Sequence, residues 1–149
     1  MDDLRKHLLQ MSRTLIRLDE IYYHAAKKLG VTENMLTLLY ALNDGGIHTQ
    51  KQIVQDWLIP KTTINTLVQQ CLAAGYVQLT PQSREKAIQL TASGRDYAER
   101  LLKPLYAAEE ASFTASSPEL LPALERYAEH LQVEFDRQIK QGESYENTN

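Results

Sequence analysis

The chain has 149 residues, 43% of them apolar and 23% charged, with eleven aromatic residues, one cysteine and a formal net charge of −3. A chain of this length buries roughly 68–70% of its unfolded surface, so its core needs neither a disulfide nor a structural metal, and the single Cys71 excludes a disulfide within the chain. The start, Met1-Asp2-Asp3, has no basic stretch leading into an apolar one, and the most apolar run, Met35 to Leu42, is too short to span a bilayer. One domain in the cytoplasm, with no membrane partner, is expected.

An acidic net charge argues against a phosphate partner, but its distribution reverses the reading. Residues 1–48 carry six basic and six acidic side chains, 92–149 six and eleven, and 49–91 four and two, so the only positive excess lies in the middle of the chain.

The first segment, 1–30, places Leu4, Leu8, Met11, Leu15, Leu18, Tyr22, Ala25 and Leu29 at alternating spacings of four and three. That is a heptad seam on a long helix. A helix of roughly 40 Å overhangs a small domain, so part of the seam is expected to meet another chain; the alternative is a long intramolecular core helix. Gly30 closes it as a C′ residue. Thr32 caps a second helix, apolar on nearly all sides from Met35 to Leu42 and therefore buried. After the loop Asn43-Asp44-Gly45-Gly46, Thr49-Gln50-Lys51-Gln52 has the spacing of a capping box. It opens a short helix with Ile53, Val54, Trp57 and Leu58 inward.

Pro60 suits the first turn of the next helix. Its inner face is Ile64, Leu67, Val68, Cys71 and Leu72, which leaves Thr62, Asn65, Thr66 and Gln69 outside, with Lys61 at the start. Short hydrogen-bonding side chains with no acid among them suit the reading of base edges in a major groove; the plain alternative is a solvated helix face. From Tyr76 the period becomes 2, with Val77 and Leu79 inward, a long polar tip from Thr80 to Lys86, then Ile88 and Leu90 inward, as in a β-hairpin. Short helices, a polar-faced helix and a hairpin bearing Arg84 and Lys86 make a mainly α winged helix-turn-helix, 31–91, with a two-stranded wing. Thr91 caps a further helix that bends at Pro104 and breaks at Ser116-Ser117-Pro118. A last helix follows, completing a C-terminal region over 92–141, and 142–149 reads as a disordered polar tail.

In this arrangement the chain resembles the MarR family of transcription regulators from about residue 5 to about residue 140. Thr49-Gln50-Lys51-Gln52-Ile53 resembles the opening of that family's DNA-contacting unit, and Thr62-Thr63-Ile64-Asn65-Thr66-Leu67-Val68 is similar to its recognition-helix run. Ala74-Gly75-Tyr76-Val77 is similar to its entry to the wing, and Arg84, Ile88, Leu90-Thr91 and Gly94 to its exit. One position departs: Gln82 stands where the family pattern has an acid two residues before the arginine, an acid that orients it. A glutamine amide oxygen still accepts a hydrogen bond.

The resemblance implies a homodimer held by the long first helix and the last two. Each winged unit would sit on one half-site of a pseudo-palindrome in double-stranded DNA, the half-sites being about 34–36 Å apart. The expected DNA contacts are Lys51, Lys61, Thr62, Asn65, Thr66, Gln69, Arg84 and Lys86, and a repressor is preferred to an activator. The resemblance also implies a small aromatic or phenolic effector, for which Arg17, Tyr23, His24 and Tyr40 on the first two helices are the candidate residues.

No phosphate-cradling glycine run, zinc-protease helix or nucleophile elbow occurs, so neither enzymatic activity nor a cofactor is expected. His130 lies four residues from the carboxylate of Glu134, a spacing read as a helix ion pair rather than a metal site. Cys71 falls on an apolar face and reads as structural rather than redox-active. Two rival functions remain: a winged helix turned protein-interaction module, and a ligand- or metal-binding helical dimer without DNA binding.

Overall fold

The computed structural model describes residues 2–82 and 85–146. It divides into two compact units, Met1–Tyr106 and Ala107–Asn149. The first holds α1 (Asp3–Leu29), α2 (Glu33–Leu42), β1 (His48–Thr49), α3 (Gln50–Trp57), α4 (Lys61–Ala73), β2 (Val77–Gln82), β3 (Glu85–Leu90) and most of α5 (Ala92–Thr114). The second holds the end of α5 and α6 (Leu120–Glu146). The architecture is mainly helical with a small sheet, a winged helix-turn-helix followed by long helices.

Local hydrogen-bond chemistry sets the helix boundaries. Gly30 ends α1 in the left-handed region at φ 77°, its amide donating back to the carbonyls of Ala26 and Lys27. The Thr32 hydroxyl accepts from the Met35 amide at 3.2 Å and starts α2. At α3 the capping box is complete: the Gln52 amide donates to Thr49 Oγ1 at 3.2 Å, and Gln52 Oε1 accepts from the Thr49 amide at 2.8 Å. Pro60 directly precedes α4, and its carbonyl accepts from the Thr63 and Ile64 amides. Helix α5 runs unbroken through Pro104, and the break at Ser116-Ser117-Pro118 falls between α5 and α6.

The core of the first unit is built around α2, where Leu38, Leu39 and Leu42 are fully buried, against Ile53, Ile64, Val68, Ile88 and Leu102. Each such side chain contributes about 1.5–3 kcal/mol by leaving water. Helix α1 joins this core only at its end, where Ala26 is buried; Leu4, Leu8, Leu15, Leu18 and Tyr22 of the heptad seam stay exposed. Among the described residues no helix is long and apolar enough to cross a membrane.

Four expectations are corrected. Trp57 and Leu58 do not point inward: Leu58 sits just past the end of α3 at φ 52° with 83% of its surface exposed, and Ile59 fills the core in its place. The sheet has three strands in the order β1-β3-β2, because His48 and Thr49 pair with Ile88 and Ala87 beside the hairpin. The hairpin itself is longer than its polar tip implied, since the ladder runs from Val77↔Leu90 out to Gln82↔Glu85. Helix α6 continues to Glu146, through most of the segment expected to be a tail; Gly142 within it costs about 1 kcal/mol relative to alanine, which does not stop a helix.

Candidate nucleic-acid interface

Helix α4 carries the candidate face. Ile64, Leu67, Val68 and Cys71 are buried and anchor one side. At about 100° per residue, Thr62, Asn65, Thr66 and Gln69 fall within an arc of roughly 100° on the opposite side, and all four are exposed. Among the described residues none of the four is spent on a side-chain hydrogen bond, so their donors and acceptors are open to a partner. Lys61 is exposed at the N-terminal end of the helix, where no acidic side chain occupies the first turn. The amides there carry the positive end of the helix dipole, which favours phosphate.

Two further cations flank this face in sequence. Lys51 is exposed in the first turn of α3, positioned by the Thr49–Gln52 capping box, and Lys86 is exposed on β3. Arg84, expected at the tip of the wing, lies outside the described residues.

The wing and α5 are joined by a close approach. Thr91 donates its amide to the Tyr76 carbonyl at 3.0 Å and its hydroxyl to the Gly75 carbonyl at 2.6 Å. The same hydroxyl accepts from the Gly94 amide at 3.0 Å. A Cβ on Gly94 would stand 1.8 Å from the Tyr76 oxygen, so only glycine fits between α5 and the entry to β2.

The loop before β1 is held by a second device that sequence reading missed. Asp44 accepts from the Gly46 amide at 2.7 Å, and His48 Nε2 lies 2.9 Å from its Oδ1. The hydrogen bonds from His48 and Gly46 hold the Asp44 carboxyl below the usual carboxylate range. The spacing of four residues was visible, but only the turn at Gly45 and Gly46 brings the two side chains together.

The four residues expected at an effector pocket are spread over two helices. Arg17, Tyr23 and His24 are exposed on α1, where the Tyr23 and His24 rings meet edge to face at 5.4 Å and His24 lies 3.6 Å from Glu20. Tyr40, on α2, packs against Trp57 at 5.6 Å and Tyr106 at 5.3 Å, and Asn43 donates to the Tyr106 hydroxyl at 3.2 Å.

A cavity of about 310 Å³ lies elsewhere, lined by Val31, Thr32, Met35, Gln70, Cys71, Ala74, Tyr76 and Tyr97, and includes none of those four. Burial pushes the Cys71 thiol and the Tyr97 phenol up, so both keep their protons near neutral pH. On α6, Glu134 accepts from Arg137 Nε at 3.0 Å rather than pairing with His130. Among the described residues no three His, Cys, Asp or Glu side chains gather where they could hold a metal ion.

Comparison with known proteins bears on this geometry. A sequence model of the MarR family matches residues 29–86, the segment from the end of α1 to β3. No curated protein sequence matches the chain. Among solved structures, a MarR family regulator from Neisseria meningitidis is 19% identical, superposes with a TM-score of 0.76, and the match covers 91% of this chain and 98% of that one. A MarR family transcriptional regulator from Silicibacter pomeroyi DSS-3 is 18% identical with a TM-score of 0.67, over 84% of this chain and 93% of its own. Overoxidized AbfR bound to DNA is 20% identical with a TM-score of 0.57, over 87% and 93%; AbfR is a protein of Staphylococcus epidermidis. Residues 29–86 are thus similar in sequence to the MarR family, and the chain has the fold of MarR-family regulators.

Proposed function

We propose that the protein is a homodimeric transcription regulator that binds a pseudo-palindromic operator in double-stranded DNA, in the sense of a repressor. The observation that carries this reading is the face of α4. Thr62, Asn65, Thr66 and Gln69 are exposed together and acid-free, on a helix whose other side is locked into the core. Such side chains read base edges, while Lys51, Lys61, Lys86 and Arg84 meet phosphate or the minor groove. AbfR, similar in fold, was solved on DNA, which supports the same use of this fold here.

The exposed seam supports the dimer. Leu4, Leu8, Leu15 and Leu18 leave the apolar stripe of α1 open to water, and on α6 Leu124, Leu131 and Phe135 are also exposed. An apolar stripe left exposed along a helix marks an association surface. Two-fold symmetry then sets two α4 helices on successive major-groove turns, roughly 34–36 Å apart.

The test is fluorescence anisotropy of the full chain against the DNA upstream of its own gene and a scrambled duplex, at two salt concentrations. Tighter, salt-dependent binding to the upstream DNA supports the reading. Equal binding to both leaves only a basic surface, and no binding at low salt with the dimer intact favours a protein-interaction module instead.

A further inference from the structure

The turn between α3 and α4 carries an exposed apolar pair that the DNA-reading face does not use. Leu58 closes α3 in the left-handed region, at φ 52° and ψ 28°, with 83% of its surface exposed, and Trp57 beside it is 41% exposed. Glycine takes this conformation freely and commonly ends a helix this way, whereas leucine is strained in it. The strained side chain adds nothing to the core, where Ile59 is buried instead. Trp57 is held from within the fold by the Tyr40 ring, at 5.6 Å and 61°, so the pair stands in water on a fixed support.

We propose that Trp57 and Leu58 form a self-complementary contact through which one DNA-bound dimer of this chain docks on the next. The charges around the pair favour a second copy over other occupants. Asp56 directly precedes Trp57, and Lys61 opens α4 just after Leu58; both are exposed, and among the described residues neither is in an ion pair. One charge of each sign therefore brackets the pair. A two-fold rotation sets the carboxylate of one copy opposite the ammonium of the other, with the apolar side chains between them. Three ammonium donors let Lys61 meet phosphate and that carboxylate together. DNA is the poorer occupant of the patch itself, because the α4 face is acid-free and this patch holds a carboxylate, which phosphate repels.

The area decides when the contact forms. Trp57 and Leu58 expose about 250 Å² per protomer, against roughly 800 Å² per partner in a stable complex. That is too little to join free dimers in dilute solution. The contact acts where DNA holds neighbours at an effective concentration of about a millimolar. Each dimer carries two such patches, so the contact passes from dimer to dimer along a duplex. To that extent the inference rests on the regulator reading.

The experiment uses Trp57 as its own probe, since it is the only tryptophan in the chain. The full chain is bound at low salt to a long duplex of mixed sequence, first sparsely with DNA in excess and then near saturation. Sparse and crowded dimers make the same DNA contacts, so only a neighbour changes Trp57. The expected result on crowding is a blue shift of its emission and slower quenching by acrylamide, with a bound neighbour raising affinity roughly 5-fold or more. Leu58→Gly relieves the left-handed strain, so it should melt no lower than the wild type, bind sparsely with unchanged affinity, and lose both the shift and the cooperativity. Asp56→Lys sets like charges face to face and should also lose the cooperativity. Unchanged Trp57 emission on crowding, or cooperative filling by either variant, overturns the proposal. A Leu58→Gly protein that melts below the wild type overturns it too, because the leucine then serves the fold. If the protein binds no DNA at low salt, the regulator reading falls, and Trp57 emission of the free chain at about millimolar concentration decides the contact. A blue shift absent from Leu58→Gly keeps it, and no shift strikes it.

Discussion

Replacing Gly94 by alanine tests the junction between the wing and α5. The new Cβ would lie 1.8 Å from the Tyr76 carbonyl oxygen, 2.6 Å from its carbon and 2.8 Å from its Cα. All three are backbone atoms, so no side chain can swing aside. Reaching even 3.0 Å requires α5 and the start of β2 to separate by about 1.2 Å, and overpacking of this kind costs about 1–3 kcal/mol. The separation also stretches the 3.0 Å bond from the Thr91 amide to Tyr76 and the 2.6 Å bond from its hydroxyl to Gly75. Those losses add about 1–2 kcal/mol, and the better helix propensity of alanine returns at most about 1 kcal/mol.

The net expectation is a loss of about 3 kcal/mol, which for a domain of this size lowers the melting temperature by about 6–12 °C. Gly46→Ala is the control, because its Cβ meets only the tips of the His48 and Asp44 side chains, at 2.9 and 3.0 Å. It should melt within a few degrees of the wild type. Circular dichroism melts of both variants decide the matter: a Gly94→Ala protein as stable as the wild type would refute the close packing of α5 on Tyr76.

Other perturbations probe charge and assembly. Because the folded Asp44 carboxyl is held below its ordinary pKa of 3.8, its stabilisation is complete above that value and is lost as pH falls through the lower, folded one. Asp44→Asn should therefore flatten the acid side of a melting-temperature profile between pH 7 and 3. The effect is about 1 kcal/mol or less, because 55% of the carboxylate side chain is exposed, and an unchanged profile would remove the pair from the ledger of pH dependence. Leu8→Asp with Leu15→Asp places two charges in the exposed seam of α1, and sedimentation should show a dimer becoming a monomer; an unaltered mass would locate the dimer interface elsewhere. Arg84→Ala should weaken operator binding and reduce the log–log salt slope by about 2, one phosphate-type contact per protomer. An unchanged affinity and slope would take Arg84 out of the interface.

Much of the fold was legible because its signals are local. Gly30, Thr32, Thr49 with Gln52, and Thr91 act through hydrogen bonds within a few residues, and each stands where spacing placed it. The α4 face was legible for the same reason, since a 3.6-residue period alone separates Thr62, Asn65, Thr66 and Gln69 from Ile64, Leu67 and Val68. What could not be read is tertiary. Leu58 takes a left-handed conformation that leucine avoids, and only the path of the chain into Ile59 requires it. The two-residue strand β1 is too short to show a period and exists because β3 offers it an edge. The Tyr76–Tyr97 stack and the cavity beside it join residues of no common motif, and the reach of α6 past Gly142 reflects helix continuity that composition alone does not report.

The central claim is that the exposed face of α4 reads DNA sequence. Asn65→Ala with Gln69→Ala removes two candidate base contacts from that face while leaving its buried side and every cation intact. Anisotropy with the upstream duplex and its scrambled control should show the preference for the upstream DNA falling at least tenfold, at about 1–3 kcal/mol per lost contact. The salt dependence should stay unchanged. A variant that folds, dimerises and still discriminates the two duplexes as well as the wild type would contradict the account.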